Sequence, residues 1–161
     1  MKGGINKIMR NIASKQGCNE FERRMIKATY GHDTKPPKEK HVIFLLTVMH
    51  CSLADVSCTD VVAALYKRCV EQHNVWSVNM KVLIVFHRLL QDKLLSGKVM
   101  KELKDKNYEF PSFYKEGASL SQSDRVITMI SRGYAEYLAD LCKFLEKSKF
   151  KSLTRDFGLA Q

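Results

Sequence analysis

Residues 82–86 read Val-Leu-Ile-Val-Phe. A helix through them is apolar on every side, and such a helix belongs at the centre of a domain. The run is also β-branched, so its own periodicity leaves strand and helix open. Its amphipathic neighbours on both sides decide for a long central helix over 75–93. Around it, the chain reads as helix almost throughout.

Apolar residues at 5, 8, 9 and 12 share one helical face, predicting a helix over 5–15 with Gly17 beyond it. Asn19 is placed to cap a second helix over 20–30, ended by Gly31. Pro37 suits the first turn of a third, to about residue 50. Thr59 or Asp60 caps a fourth, to about residue 72. Further helices are expected over 96–106 and 122–147, joined by an aromatic connection at 110–114. Antiparallel helices on short connections give a bundle or a short right-handed solenoid.

No apolar run approaches the ~20 residues of a membrane span. Lys2 stands where myristoylation needs Gly, and no apolar stretch follows it that would serve as a secretory signal. The five cysteines (Cys18, Cys51, Cys58, Cys69, Cys142) are odd in number and form no CxxC, which fits a reduced, cytosolic chain. Cys69 and His73 sit one helical turn apart, but the spacings match no standard zinc site, and no metal is expected. No GxSxG, HExxH or GK[ST] loop is present, and no nucleophile is paired with a base, so no enzyme activity, catalytic residue or cofactor is expected.

The charge is uneven. The formal net charge is +10, and residues 1–41 carry +6 of it. A quarter of the chain thus holds most of the excess, which favours an anionic partner near the N-terminus. Two features concentrate it. In Lys27-Ala28-Thr29 followed by Pro37-Lys38-Glu39-Lys40-His41, a basic helix end meets a basic helix start. Free N–H groups and the positive dipole end at that start suit clustered phosphates; a solvated basic turn is the other reading. In the N-terminal segment, Ile5, Ile8, Met9 and Ile12 form an apolar face opposite Lys7 and Arg10. That pattern describes a helix in a membrane interface, or a first helix packed on the domain. Nucleic acid is disfavoured, because the aromatics fall mainly on apolar faces and no zinc-finger or RNP-like spacing occurs.

The paired basic motif closely resembles the phosphoinositide signature of ANTH domains, found in CALM-type clathrin assembly proteins. Residues 81–90, with His87-Arg88-Leu89, resemble that family's buried central helix. Residues 107–113 are similar to its aromatic connection, and Tyr134-Ala-Glu-Tyr-Leu138 to a later helix. The resemblance implies an all-α, right-handed superhelical solenoid of about seven to eight helices. It implies a single domain over 1–161, with an N-terminal amphipathic helix over 1–17 and a helical core over 18–161. It further implies a membrane adaptor that binds phosphatidylinositol 4,5-bisphosphate at the plasma membrane and recruits clathrin coats in endocytosis. Contacts with coat components are expected through a tail outside these residues.

Carried over by position, Lys27, Lys38, Lys40 and His41 are the headgroup contacts. Seven residues stand between Thr29 and Pro37, one more than the usual ANTH spacing. The N-terminal segment resembles the membrane-inserting helix of the related epsin (ENTH) domains. That likeness adds Lys7, Arg10, Arg68 and Lys81 as headgroup contacts and Ile5, Ile8, Met9 and Ile12 as inserting residues. The alternatives are a VHS-like protein-interaction domain in vesicle traffic and a basic nucleic-acid-binding helical domain.

Overall fold

The computed structural model describes residues 15–51, 56–114 and 120–148. Six helices lie among them: α1 (Lys15–Ala28), α2 (Glu39–His50), α3 (Cys58–Glu71), α4 (Trp76–Gln91), α5 (Ser96–Asp105) and α6 (Gln122–Lys147). No strand occurs among the described residues. The expected count of about seven to eight included the helix over 5–15, which lies outside the described residues.

Each helix packs on its neighbour or next neighbour in sequence. Helix α1 lies on α2 and α3, α2 on α3, α3 on α4 and α5, and α4 on α5 and α6. This stepwise packing is that of a helical solenoid. As the apolar run predicted, α4 is the central member: Val78, Val82, Leu83, Val85, Phe86, Leu89 and Leu90 are all buried. Phe86 has no exposed surface, and Leu45, Leu65, Leu95 and Leu138 close around the core with it. Each such side chain contributes about 1.5–3 kcal/mol by leaving water.

The helix boundaries depart from expectation in three places. Helix α1 begins at Lys15, so it runs through Gly17 and Asn19 rather than starting after them. It ends at Ala28, before Gly31. Helix α2 begins at Glu39 with Lys38 as its N-cap, which leaves Pro37 just outside the first turn. Helix α3 is capped by Ser57, not by Thr59 or Asp60; Asp60 is the other half of a capping box, accepting from the Ser57 N–H at 2.7 Å.

The aromatic connection is held from both ends. Asn107, at φ 51°, takes the left-handed position that ends α5, and the Tyr108 N–H returns to the Leu103 carbonyl at 2.8 Å. Tyr66 stacks on Tyr108, while Phe110 meets the edge of Phe86. Deeper in, Asn79 donates to the Pro111 carbonyl at 2.9 Å and accepts from Ser131 Oγ at 2.6 Å. Ser131 Oγ in turn accepts the Phe113 N–H at 2.6 Å. The buried amide and hydroxyl are therefore satisfied, and α4, α6 and the connection are locked together.

Candidate functional site: a basic cleft between the first two helices

The loop from Thr29 to Lys38 joins α1 to α2 and is pinned at several points. Thr29 is fully buried, and its hydroxyl donates to the Met25 carbonyl at 2.8 Å. The same oxygen accepts from Arg68 Nε of α3 at 3.0 Å. Ser77, at the start of α4, donates to the Gly31 carbonyl at 2.5 Å. Gly31 is required by this approach, because a Cβ there would stand 2.6 Å from Val78 Cγ2 and 2.8 Å from Val75 Cγ1. Lys81, from the middle of α4, is 5% exposed; its ammonium donates to the Tyr30 carbonyl and, at 2.6 Å, to Asp33 Oδ1. The Lys35 N–H also donates to Asp33 Oδ1, at 3.1 Å.

Between this loop and the start of α2 lies a cleft of about 600 Å³. Lys27 reaches it from the last turn of α1, and Lys38 and Lys40 from the N-terminus of α2. Lys35, Asp33 and Lys81 complete its charged lining, an excess of four positive charges. Lys27, Lys38 and Lys40 are exposed, and none of the three pairs with a carboxylate among the described residues. Glu39, which lies between the α2 lysines in sequence, is instead held by Arg88 of α4 through two bonds of 2.9 and 2.7 Å. That contact holds the Glu39 carboxyl below its ordinary value.

The N-terminus of α2 has no side-chain cap. The Glu39 and Lys40 N–H groups and the dipole end therefore lie without a side-chain cap beside the lysine-lined cleft, while the His41 N–H returns to the Lys38 carbonyl at 2.9 Å. His41, in the first turn, is 4% exposed. Its pKa falls to about 4, chiefly because burial disfavours the cation and then because Arg24, Lys40, Lys27 and Lys38 surround it. Arg24 Nη1 lies 3.4 Å from His41 Nδ1. Arginine can only donate, so Nδ1 accepts, and the neutral ring carries its proton on Nε2. His41 thus enters the cleft as a neutral donor rather than a further charge.

The structure brings Lys27, Lys38, Lys40, His41 and Lys81 to one cleft. The ANTH-like and epsin-like positions therefore share a site where Lys81 is concerned. Arg68 stands apart, tied to Thr29 and lining a groove between α1 and α3 with Phe21, Met25 and Lys67. Lys7, Arg10, Ile5, Ile8, Met9 and Ile12 lie outside the described residues. Tyr30, Asp33 and Lys35 also line the cleft, and Arg24 touches it only through His41; none of the four was anticipated. Lys35 was legible as part of the same basic run. Asp33 and Arg24 were not, because their partners lie 48 and 17 residues away in sequence.

Point-charge lysines, ring and main-chain donors, and an uncapped helix start are the chemistry that holds clustered anionic oxygens. Fold and cleft together define a helical module with an anion-suited basic face. The family model for the ANTH domain matches residues 20–158, and the chain belongs to that family. No curated protein and no solved structure matches it. ANTH domains are, as a family, non-enzymatic adaptors that bind phosphoinositides and act in endocytic membrane traffic. Among the described residues no helix is long and apolar enough to cross a membrane.

Proposed function

We propose that the cleft between α1 and α2 holds the headgroup of phosphatidylinositol 4,5-bisphosphate or a related phosphoinositide. In this reading the domain docks on the plasma membrane as an adaptor for clathrin coat assembly. Lys27, Lys38 and Lys40 meet the phosphates as point charges, His41 adds a neutral donor, and the first N–H groups of α2 complete the cradle. The observation that supports this most is the convergence of three carboxylate-free lysines on an uncapped helix start, in a cleft large enough for an inositol ring. Lys7 and Arg10, with the apolar face Ile5, Ile8, Met9 and Ile12, add an interfacial helix at the bilayer. Coat partners bind elsewhere than in the described residues.

Vesicle sedimentation tests the site. Each lysine beside an anionic surface contributes about 1 kcal/mol, so Lys38→Glu with Lys40→Glu removes two attractions and adds two repulsions. Binding to phosphoinositide vesicles should fall by roughly a thousand-fold, below detection, with unchanged helical circular dichroism. Retained binding by this double variant would exclude the cleft. The soluble headgroup, measured beside the vesicles, isolates the N-terminal segment: if that segment inserts, vesicles bind more tightly than the headgroup alone.

A further inference from the structure

Asp33 is the one carboxylate among the residues lining the cleft. It is not a bystander at the rim. Its Oδ1 sits 2.6 Å from the ammonium of Lys81, the most deeply buried cation of the cleft, and also accepts the Lys35 N–H. The two lysine-derived donors thus converge on a single carboxylate oxygen, an arrangement that a phosphate oxygen would also satisfy. The partners are unequal in exposure: the Lys81 side chain is 6% exposed, the Asp33 side chain 38%. Lys81 is also held by the Tyr30 carbonyl, while Asp33, the more exposed partner, stands on the loop between α1 and α2.

We propose that Asp33 is a built-in counter-anion that sets the affinity of the cleft: it occupies Lys81 in the free protein, and a polyphosphorylated inositol reaches that ammonium only by displacing it. This rests on the headgroup reading above and adds to it an affinity-setting residue. Free energy spent displacing Asp33 is lost to binding, and the carboxylate repels the incoming phosphates as well. Ligands with more phosphates gain more from the surrounding lysines than they lose to this one carboxylate, and so overcome the displacement cost more readily. Asp33 therefore holds the cleft closed to weakly charged anions at the expense of maximal affinity, a specificity device built on an unfavourable contact.

The test is the variant Asp33→Asn, which keeps the side-chain shape and a carbonyl oxygen for Lys81 and Lys35 but removes the charge. It is measured beside the unaltered chain and the Lys38→Glu/Lys40→Glu variant. The ligands are phosphatidylcholine vesicles carrying phosphatidylinositol 4,5-bisphosphate, soluble inositol 1,4,5-trisphosphate, and inorganic phosphate. Removing one negative charge beside the ligand should tighten the inositide arms by roughly five-fold, with a steeper loss of affinity as salt rises. Inorganic phosphate should bind Asp33→Asn measurably and the unaltered chain more weakly, by about five-fold or more. A gain for vesicles with none for the soluble headgroup would mean a general surface-charge effect and would overturn the proposal.

Affinity equal to or below that of the unaltered chain, with unchanged circular dichroism, would show that Asp33 only positions Lys81. Should Asp33→Asn unfold, Asp33→Glu supplies the second arm: its longer carboxylate still reaches Lys81, so affinity should stay at or below that of the unaltered chain, and a five-fold gain would overturn the proposal. If the unaltered chain binds none of the inositides, the headgroup reading fails and this inference fails with it. If it binds and the lysine variant does not, a failure of Asp33→Asn counts against Asp33 alone.

Discussion

The start of α2 and the starts of α3 and α6 face the same physical problem and answer it differently. Each helix opens with N–H groups that find no partner within the helix. At α3, Ser57 accepts from the Asp60 N–H at 3.2 Å and Asp60 returns the bond to the Ser57 N–H. At α6, Ser121 accepts from the Asp124 N–H at 3.1 Å. In both, a hydroxyl satisfies the backbone and a carboxylate meets the positive dipole end. At α2 the N-cap is Lys38, whose side chain has no acceptor to offer; its carbonyl takes the His41 N–H at 2.9 Å, and the first-turn acid Glu39 is drawn away to Arg88. Two helices close their first turns with a side-chain cap; α2, like α4 and α5, does not, and at α2 three lysines gather instead.

The sharpest way to break this comparison is to give α2 the cap it lacks. Lys38 already has the extended backbone of an N-cap, at φ −66° and ψ 122°. Lys38→Asp should therefore raise stability by about 1 kcal/mol. The same change swaps an attraction for a repulsion in the cleft, and inositide binding should weaken by roughly thirty-fold. Chemical denaturation and vesicle sedimentation on one preparation read both. A stability gain without a binding loss would separate the helix start from the ligand.

A second, intermediate effect follows from His41. Its pKa is about 4 in the folded chain against 6.5 as its ordinary value. Between these the unfolded chain binds more protons, so stability rises with pH. The contribution is complete above about pH 6.5, is lost as pH falls towards 4, and changes no further below that. Glu39 and Asp92, whose folded values are depressed, lose their contributions lower down, as pH falls below their ordinary values of 4.5 and 3.8. Melting temperature against pH should decline from 6.5 to 4, and His41→Gln should flatten that limb. An unchanged slope in the variant would place the titration elsewhere.

The smallest effect is the converse of the first. Ser57→Ala removes the α3 cap and should cost about 1 kcal/mol of stability while leaving inositide affinity unchanged. A change in affinity would mean that the two helix starts are coupled, and the division of labour between them would not hold.

The all-helical class, the central place of α4 and the span of α6 were legible in sequence, because each rests on local periodicity. The run Val82–Phe86 has no polar side to show water, and so had to be central. The cations Lys27, Lys38 and Lys40 were legible for the same reason: they cluster at helix ends in a contiguous motif. The cap at Ser57 was missed because Thr59 and Asp60 are competing cap residues within the next three positions, and only the backbone decides among them.

Tertiary structure alone decided what those residues have for neighbours. Sequence gave no reason to think that Thr29 is a buried tie to Arg68, that Gly31 is forced by Val75 and Val78, or that Glu39 is drawn off by Arg88. Nor did it show that Lys81 arrives in the cleft with Asp33 already bound to it. Periodicity and capping act within a few residues of chain, so a sequence displays them. Charge pairing and burial act through space, and only the packing of α3 and α4 against the loop between α1 and α2 determines which lysines stand free.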